Sequence, residues 1–185
     1  MKPKTTLPSI VALLFATASS PAAIVTGPVL NPANSHFYYL LAAADWISSE
    51  NEALTLGGHL ATINDQAEND WVFSTFSAGS TRNLWNGLND AAAEGTFVWA
   101  SGEPLIYSNF AGSEPNNNGN EDYVHWYTTF YGNRWNDVNV SGFGTTFGVV
   151  ESVVAPEPSA ILLAAFGVAS VFLRRRTLRT HERNG

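Results

Sequence analysis

The sequence is most distinctive at Glu114-Pro-Asn-Asn-Asn-Gly-Asn-Glu-Asp-Tyr-Val124, which is followed along the chain by Trp135-Asn-Asp137. Both stretches concentrate carboxylate and amide oxygens, the ligand types that calcium takes in sets of about six to eight. Asn, Asp, Gly and Pro also form ordinary turns, so neither stretch predicts a site by itself. Their occurrence together, in this order, predicts a calcium site.

The oxygens of this predicted site come from Glu114, Asn116, Glu121, Asn136 and Asp137. No single segment supplies enough ligands for calcium, so the fold must gather them. The three carboxylates over-neutralise a divalent ion, and the set still leaves coordination positions that neutral ligands can fill.

Hydrophobic patterning on either side of these stretches predicts an α+β domain. A helix near 46–56 should follow Asp45 as its N-cap. A second helix should begin after Asn64 or Asp65 and end at Gly79. Short strands of an antiparallel sheet are expected at 37–41, 59–63, 85–88, 96–99, 123–127, 134–138 and 146–150. The long loop at 101–120 then needs something to hold it.

Composition excludes several classes of protein. The chain has 185 residues, 45% of them apolar and 12% aromatic, and it contains no cysteine. A disulfide framework, a cysteine metal site, a cysteine nucleophile and a thiol redox pair are therefore excluded. The aromatic content supplies a core for one domain and argues against a disordered chain.

The charge is distributed unevenly along the chain. Between residues 24 and 155, Arg82 and Arg134 stand against 14 carboxylates, a net charge of −12. Such an acidic body repels phosphate backbones, so nucleic-acid binding is not expected. Acidity that serves only solubility is the alternative to cation binding.

The N-terminal segment has the layout of a secretory signal peptide. Lys2 and Lys4 precede an apolar run at 10–16, and small residues follow up to Ala23. We therefore expect a signal peptide at 1–23, a linker at 24–36 and export of the remaining chain across the inner membrane.

The C-terminal segment 153–185 resembles the PEP-CTERM sorting signal of Gram-negative bacteria. It contains Pro156, Glu157 and Pro158, then an uncharged run at 160–173 and an arginine cluster at 174–176. The resemblance implies a short membrane helix, transient membrane association and processing by an exosortase-type enzyme. The product would stay at the cell surface or enter the extracellular matrix. A plain C-terminal membrane anchor is the alternative.

The segment 37–152 resembles the C-type lectin-like domains. The motifs that carry the likeness are Gly57-Gly-His-Leu-Ala-Thr-Ile63, Trp85-Asn-Gly-Leu-Asn-Asp90, Glu94-Gly-Thr-Phe-Val-Trp99, Glu114-Pro-Asn-Asn-Asn118, Glu121-Asp-Tyr-Val124, Trp135-Asn-Asp137 and Gly148-Val-Val-Glu151. The resemblance implies a principal Ca²⁺ site at the five residues named above, with a cis bond between Glu114 and Pro115. An auxiliary Ca²⁺ site would use Asp90, Glu94, Asn117 and Asp122.

The chain differs from the family in one respect, because the family usually carries two disulfides and this chain has no cysteine. Their positions here correspond to Ala53 with Val150 and to Tyr123 with Val140, which implies packing in place of each bridge. Calcium would then contribute more of the stability than usual. Because adjacent strand residues face opposite ways, the strand at 134–138 should bend or end where Asn136 and Asp137 bind metal.

The functional expectation is calcium-dependent binding of mannose-, glucose- or fucose-type sugars through vicinal hydroxyls. Glu114, Asn116, Glu121 and Asn136 would contact the sugar, and glycans or exopolysaccharide would be the partners. The alternative is a calcium-rigidified structural or adhesive matrix protein that binds a protein or surface polymer. An enzyme is not expected, because His36, His59 and His125 fit structural roles better than a catalytic one. Trp126, Tyr127 and Tyr131 fit the core better than a sugar-stacking surface.

Overall fold

The computed structural model describes residues 23–79 and 81–154. The predicted signal peptide, apart from Ala23, and the sorting residues Pro156, Glu157 and Pro158 lie outside this part of the chain. No helix within the described residues is long and apolar enough to span a membrane. The short membrane helix expected near the C-terminus also lies outside them.

The described residues form three helices and eight strands. The helices are α1 (Trp46–Thr55), α2 (Gln66–Phe76) and α3 (Thr128–Tyr131). The strands are β1 (Ile24–Leu30), β2 (Phe37–Ala43), β3 (His59–Leu60), β4 (Asn83–Asn89), β5 (Val98–Trp99), β6 (Tyr123–Trp126), β7 (Trp135–Val138) and β8 (Thr146–Ser152).

The strands form one sheet in the order β1-β2-β8-β4-β6-β7, with β3 paired to β8 and β5 paired to β4. All pairs are antiparallel except β4 with β8, which run parallel. The predicted antiparallel sheet is therefore mixed at its centre. A long connection separates β4 from β8 in the sequence, and such a connection permits a parallel pair.

The linker predicted at 24–36 is wrong for Ile24–Leu30, which forms β1 and pairs with β2. Nearly all side chains of β1 are exposed, and the strand contains Gly27 and Pro28. These features suit an edge strand but remove the hydrophobic alternation by which a strand is predicted. The domain therefore begins earlier than residue 37.

The two predicted helices are confirmed, with their caps. The carboxylate of Asp45 accepts a hydrogen bond from Ser48 N at 2.7 Å, and that of Asp65 accepts from Glu68 N at 2.8 Å. The additional helix α3 contains only four residues. One helical turn is too short to show a periodic pattern in the sequence.

The core is built around tryptophan rings that share one polar contact. Trp126 and Trp135 are fully buried, and their indole nitrogens donate to the same atom, Asn69 Oδ1, at 3.0 and 2.8 Å. The Nδ2 of Asn69 donates to the carbonyl of Asn133 at 3.1 Å. One side chain of α2 thus fixes the strands β6 and β7, which lie beside the long loop.

Replacing Asn69 by leucine should destabilise the domain by about 2–4 kcal/mol, because two buried indole N–H groups lose their acceptor. Urea unfolding followed by tryptophan fluorescence measures this loss. The matched control is Asn51→Leu, at an exposed position of α1, where a change within about 0.5 kcal/mol is expected. Equal stability of the two variants would contradict the shared-acceptor role.

One of the two implied disulfide replacements is confirmed. Ala53 and Val150 are fully buried and belong to one apolar cluster. Tyr123 does not pair with Val140 in this way, because β6 and β7 align it with Val138. Its ring packs on Trp46, with 4.8 Å between ring centroids.

Candidate functional site

The long loop is held along β7 by backbone hydrogen bonds. The N–H of Ala111 donates to the carbonyl of Trp135, and the N–H of Trp135 donates to the carbonyl of Asn109, both at 2.9 Å. Phe110 forms an isolated parallel bridge with Trp135. These contacts bring the Glu-Pro-Asn segment to the edge of the sheet, and the Glu114–Pro115 bond there is cis, as the resemblance implied.

Asp137 fastens the tip of the loop to β7. Its side chain is 1% exposed. Its Oδ1 accepts from Asn116 N at 3.1 Å, and its Oδ2 accepts from Asn117 N at 2.8 Å. Charge-assisted bonds of this kind are stronger than neutral ones, so the carboxylate determines where the loop lies.

Glu121 closes the other side of the loop. Its Oε2 accepts from Asn118 N at 2.9 Å, and its own N–H donates to Asn117 Oδ1 at 2.8 Å. Asn117 and Asn120 have positive φ angles of 47° and 74°, a conformation that asparagine tolerates better than most residues. The asparagine-rich sequence therefore suits the shape of this loop.

Glu114 and Asn116 face each other across the cis bond. The Asn116 amide nitrogen donates to Glu114 Oε2. The hydroxyl of Tyr131, on α3, donates to Glu114 Oε1 at 2.8 Å. The sequence favoured a core position for Tyr131 over a sugar-stacking one, but the ring is half-buried and its hydroxyl reaches Glu114, because α3 folds back over the loop.

Asn136 is the one residue of the predicted principal site that the structure does not join to the loop. It is buried, its Nδ2 lies 3.3 Å from His125 Nε2, and the same nitrogen donates to the carbonyl of Asp137. Within the described residues no hydrogen bond reaches its Oδ1. Burial lowers the pKa of His125 to about 3, so the ring is neutral and can accept from the amide.

The strand does not bend at Asn136 and Asp137, and it ends one residue later, at Val138. β6 and β7 keep a continuous register from Tyr123 opposite Val138 to Trp126 opposite Trp135. The loop approaches Asp137, while Asn136 lies opposite His125, its neighbour on β6. The loop backbone lies against Asp137, and β7 keeps its regular pairing with β6.

The acidic groups of the site have no cationic partner in the part of the chain that the structure describes. In residues 23–79 and 81–154 the only ion pairs are His36 with Glu151 and His59 with Glu50. Burial raises the pKa of Glu121, and the nearby carboxylates of Asp137 and Glu114 raise it further, against a hydrogen bond from Asn118 that lowers it. Uncompensated negative charge of this kind favours a bound cation.

The carboxylates do not converge on a single point. Across the described part of the chain, no three His, Asp or Glu side chains are gathered as a metal-binding group. Backbone and side-chain amides of Asn116, Asn117 and Asn118 bridge Glu114, Glu121 and Asp137. The donor set is nevertheless the one calcium prefers, with carboxylate and amide oxygens and no nitrogen or sulfur ligand.

The residues of the predicted auxiliary site are only partly brought together. Asp90 is 2% exposed, its Oδ2 accepts from Gly95 N at 2.8 Å, and its Oδ1 is buried with no hydrogen-bond partner among the described residues. Desolvation and the carboxylates of Asp90, Asp122 and Asp137 raise the pKa of the exposed Glu94. The Asn117 side chain does not join Asp90, because its Oδ1 accepts a hydrogen bond from the backbone N–H of Glu121. An unpartnered buried carboxylate oxygen beside further acids fits a cation ligand.

Comparison with known proteins identifies the domain. Residues 44–142, just over half of the chain, match the family described as Lectin C-type domain. The chain belongs to the C-type lectin family. Residues 154–176 match the PEP-CTERM protein-sorting motif, which confirms the second resemblance and indicates export with sorting to the cell surface.

Relatives of this C-type lectin come from several animals. A perlucin-like protein of Mytilus galloprovincialis is 32% identical over 61% of this chain and 78% of its own length. The alpha-N-acetylgalactosamine-specific lectin of Patiria pectinifera is 38% identical over 45% of this chain, and the match spans 52% of that protein.

Solved structures confirm the C-type lectin fold. The carbohydrate-recognition domain of cow CD23 has a TM-score of 0.57 at 29% identity, covering 65% of this chain and 90% of its own. The EPNH mutant of CEL-I has a TM-score of 0.57 at 25% identity, covering 74% and 97%. C-type lectin domains generally bind Ca²⁺ and carbohydrate and are not enzymes.

Proposed function

We propose that this C-type lectin is an exported, calcium-dependent carbohydrate-binding protein that recognises mannose-, glucose- or fucose-type sugars. Support comes from family membership and from the loop at Glu114–Asn116, which Asp137 and Glu121 hold against the sheet. The single observation that supports the proposal most is that the Glu114 carboxylate and the Asn116 amide lie side by side in this anchored loop.

The principal site would be formed by Glu114, Asn116, Glu121, Asn136 and Asp137. A bound Ca²⁺ would supply open coordination positions for two vicinal hydroxyls of a sugar. Each hydroxyl would donate a hydrogen bond to a ligand carboxylate and accept one from a ligand amide. Asn136 presents an oxygen that accepts no hydrogen bond from the described residues, and His125 holds its nitrogen on the opposite side.

Two comparisons bear on which sugar fits. Cow CD23 was crystallised in the presence of a GlcNAc2Man3 oligosaccharide, which agrees with a mannose-type preference. The name of the Patiria lectin specifies alpha-N-acetylgalactosamine. The order of Glu114 before Asn116 is the arrangement that the family associates with mannose-type sugars, and we take it to favour that type here, because the order sets which pair of hydroxyls fits.

No chemical reaction is proposed. His36 contacts Glu151 at 2.5 Å and His59 contacts Glu50 at 2.6 Å, so both rings have partners in the fold. His125 is buried, and its low pKa keeps it from taking up a proton near neutral pH. The non-enzymatic character of the family supports the same conclusion.

The sorting motif supports a location outside the inner membrane. An exosortase-type enzyme would process the segment containing Pro156, Glu157 and Pro158 after transient membrane association. Retention on exopolysaccharide or other glycans would then depend on many copies at one surface, because binding to an exposed ion is weak and multivalency raises avidity.

A glycan array tests the proposal with full-length protein in calcium and in chelator. Mannose-type glycans should be bound only in calcium, and Asn136→Ala should abolish binding by removing a ligand oxygen. Asn139→Ala, an exposed position just beyond β7, should bind as the wild type does. Binding that ignores the chelator would overturn the proposal, and adhesion to proteins that survives Asn136→Ala would favour a structural matrix protein.

A further inference from the structure

A cluster of aromatic rings lies on the surface beside the proposed sugar site. We call it the aromatic platform, and it consists of Tyr127, Phe130, Tyr131 and Phe143. Phe130 is 72% exposed and Phe143 is 43% exposed. The Tyr127 and Phe130 rings lie 5.7 Å apart with planes inclined by 17°, and Tyr127 and Phe143 lie 5.3 Å apart. Tyr127 and Tyr131 are half-buried and join the two exposed rings. A contiguous apolar patch at the surface marks an interaction site.

The platform rests on buried groups and is therefore ordered before any ligand arrives. Tyr127 stacks on the buried ring of His125 at 5.5 Å and 16°. The α3 turn is tied to β4, since Asn83 Oδ1 accepts from Thr128 N at 3.2 Å. A pre-ordered surface loses little entropy when it binds a partner.

The platform is continuous with the proposed sugar site. Phe130 and Tyr131 meet edge to face at 4.9 Å, and the Tyr131 hydroxyl donates to Glu114 Oε1 at 2.8 Å. Glu114 would contact the sugar residue at the loop. A saccharide extending from that residue over Tyr131 would reach the exposed ring of Phe130 next.

We propose that the aromatic platform is a second subsite, which binds the next ring of an oligosaccharide held at Glu114 and Asn116. This inference rests on the proposed function. A pyranose ring has one apolar face of C–H groups and a rim of hydroxyls, which suits exposed phenyl and phenol rings. The site beside it is acidic and would repel an anionic partner, whereas a neutral sugar is tolerated.

With this subsite, the protein binds oligosaccharides more tightly than single sugars. Stacking one sugar ring on Phe130 buries apolar area on both partners, and losing that contact should weaken binding about tenfold. The effect should be confined to ligands long enough to reach Phe130.

The test compares methyl α-mannoside with an α-linked mannotriose by titration calorimetry of full-length protein in calcium. Phe130→Ala should weaken mannotriose binding about tenfold and change methyl α-mannoside binding by less than about twofold. Phe130→Trp should keep the wild-type ratio. The control Leu54→Ala removes an exposed apolar side chain of α1 and should also keep it. Near-ultraviolet circular dichroism checks that each variant is folded.

The outcomes separate the subsite from the proposed function. If the wild type binds methyl α-mannoside in calcium and Phe130→Ala leaves the ratio of the two affinities unchanged, the subsite is wrong and the proposed function stands. If the wild type binds neither sugar, both fail together. If Phe130→Ala converts a dimer to a monomer in sedimentation without altering the ratio, the platform is a contact between copies of the chain, and the subsite is overturned.

Discussion

Replacing Glu121 by glutamine should weaken calcium binding about 10- to 100-fold while raising the melting temperature of the calcium-free protein. Glutamine keeps the size of the side chain and an oxygen that can accept from Asn118 N. The substitution removes a carboxylate whose pKa is raised by burial and by the charges of Asp137 and Glu114. Calorimetric titration and thermal melting in chelator measure the two effects.

The sign of the stability change follows from that raised pKa. A carboxyl with a higher pKa in the folded than in the unfolded state favours unfolding when it is ionised at neutral pH. Calcium-free wild type should therefore gain stability as the pH falls toward the folded pKa of Glu121, and Glu121→Gln should lack this gain. The control Glu103→Gln, at an exposed acid, should change neither calcium affinity nor melting. A destabilised calcium-free Glu121→Gln protein would show that the acid is structural.

Exchanging the acid and the amide, as Glu114→Gln with Asn116→Asp, should reverse the sugar preference from mannose type to galactose type. The double substitution keeps the net charge and the number of oxygen ligands. It interchanges the positions of the acceptor and the donor in the loop, the arrangement that the family associates with galactose, and this should change the ratio of the two affinities at least about tenfold. Competition of immobilised mannose by free mannose and free galactose, in calcium, measures this ratio.

Calcium affinity provides the internal control for the exchange. The calcium affinity should stay within about threefold of the wild-type value, because the total charge of the ligand set is unchanged. The exchange also removes the carboxylate that accepts from Tyr131, so Tyr131→Phe alone is needed as a second control and should keep the mannose preference. A double variant that binds calcium normally and still prefers mannose would place specificity elsewhere on the surface.

Local chemistry explains the features that were predicted well. Asp45 and Asp65 cap α1 and α2 through residues three positions away, so a short stretch of sequence contains both partners. The cis Glu114–Pro115 bond and the fold itself followed from resemblance to a family whose motifs span most of the domain. Donor types and their order in the loop are likewise properties of the sequence.

Contacts between residues far apart in the sequence explain the features that the sequence did not predict. β1 is an exposed edge strand whose partner, β2, supplies all its sheet pairing. Val138, not Val140, aligns with Tyr123 because register depends on the whole β6–β7 ladder. Tyr131 reaches Glu114 only because α3 folds back over the loop.

Residue type and short spacing are enough to predict the two capped helices, the acidity of the body and the set of oxygen donors. The positions of those donors follow from the folded domain. It fastens the loop to Asp137 through backbone amides, leaves Asn136 beside His125, and sets exposed rings next to Glu114. These arrangements depend on packing between segments far apart in the chain, which no local pattern records.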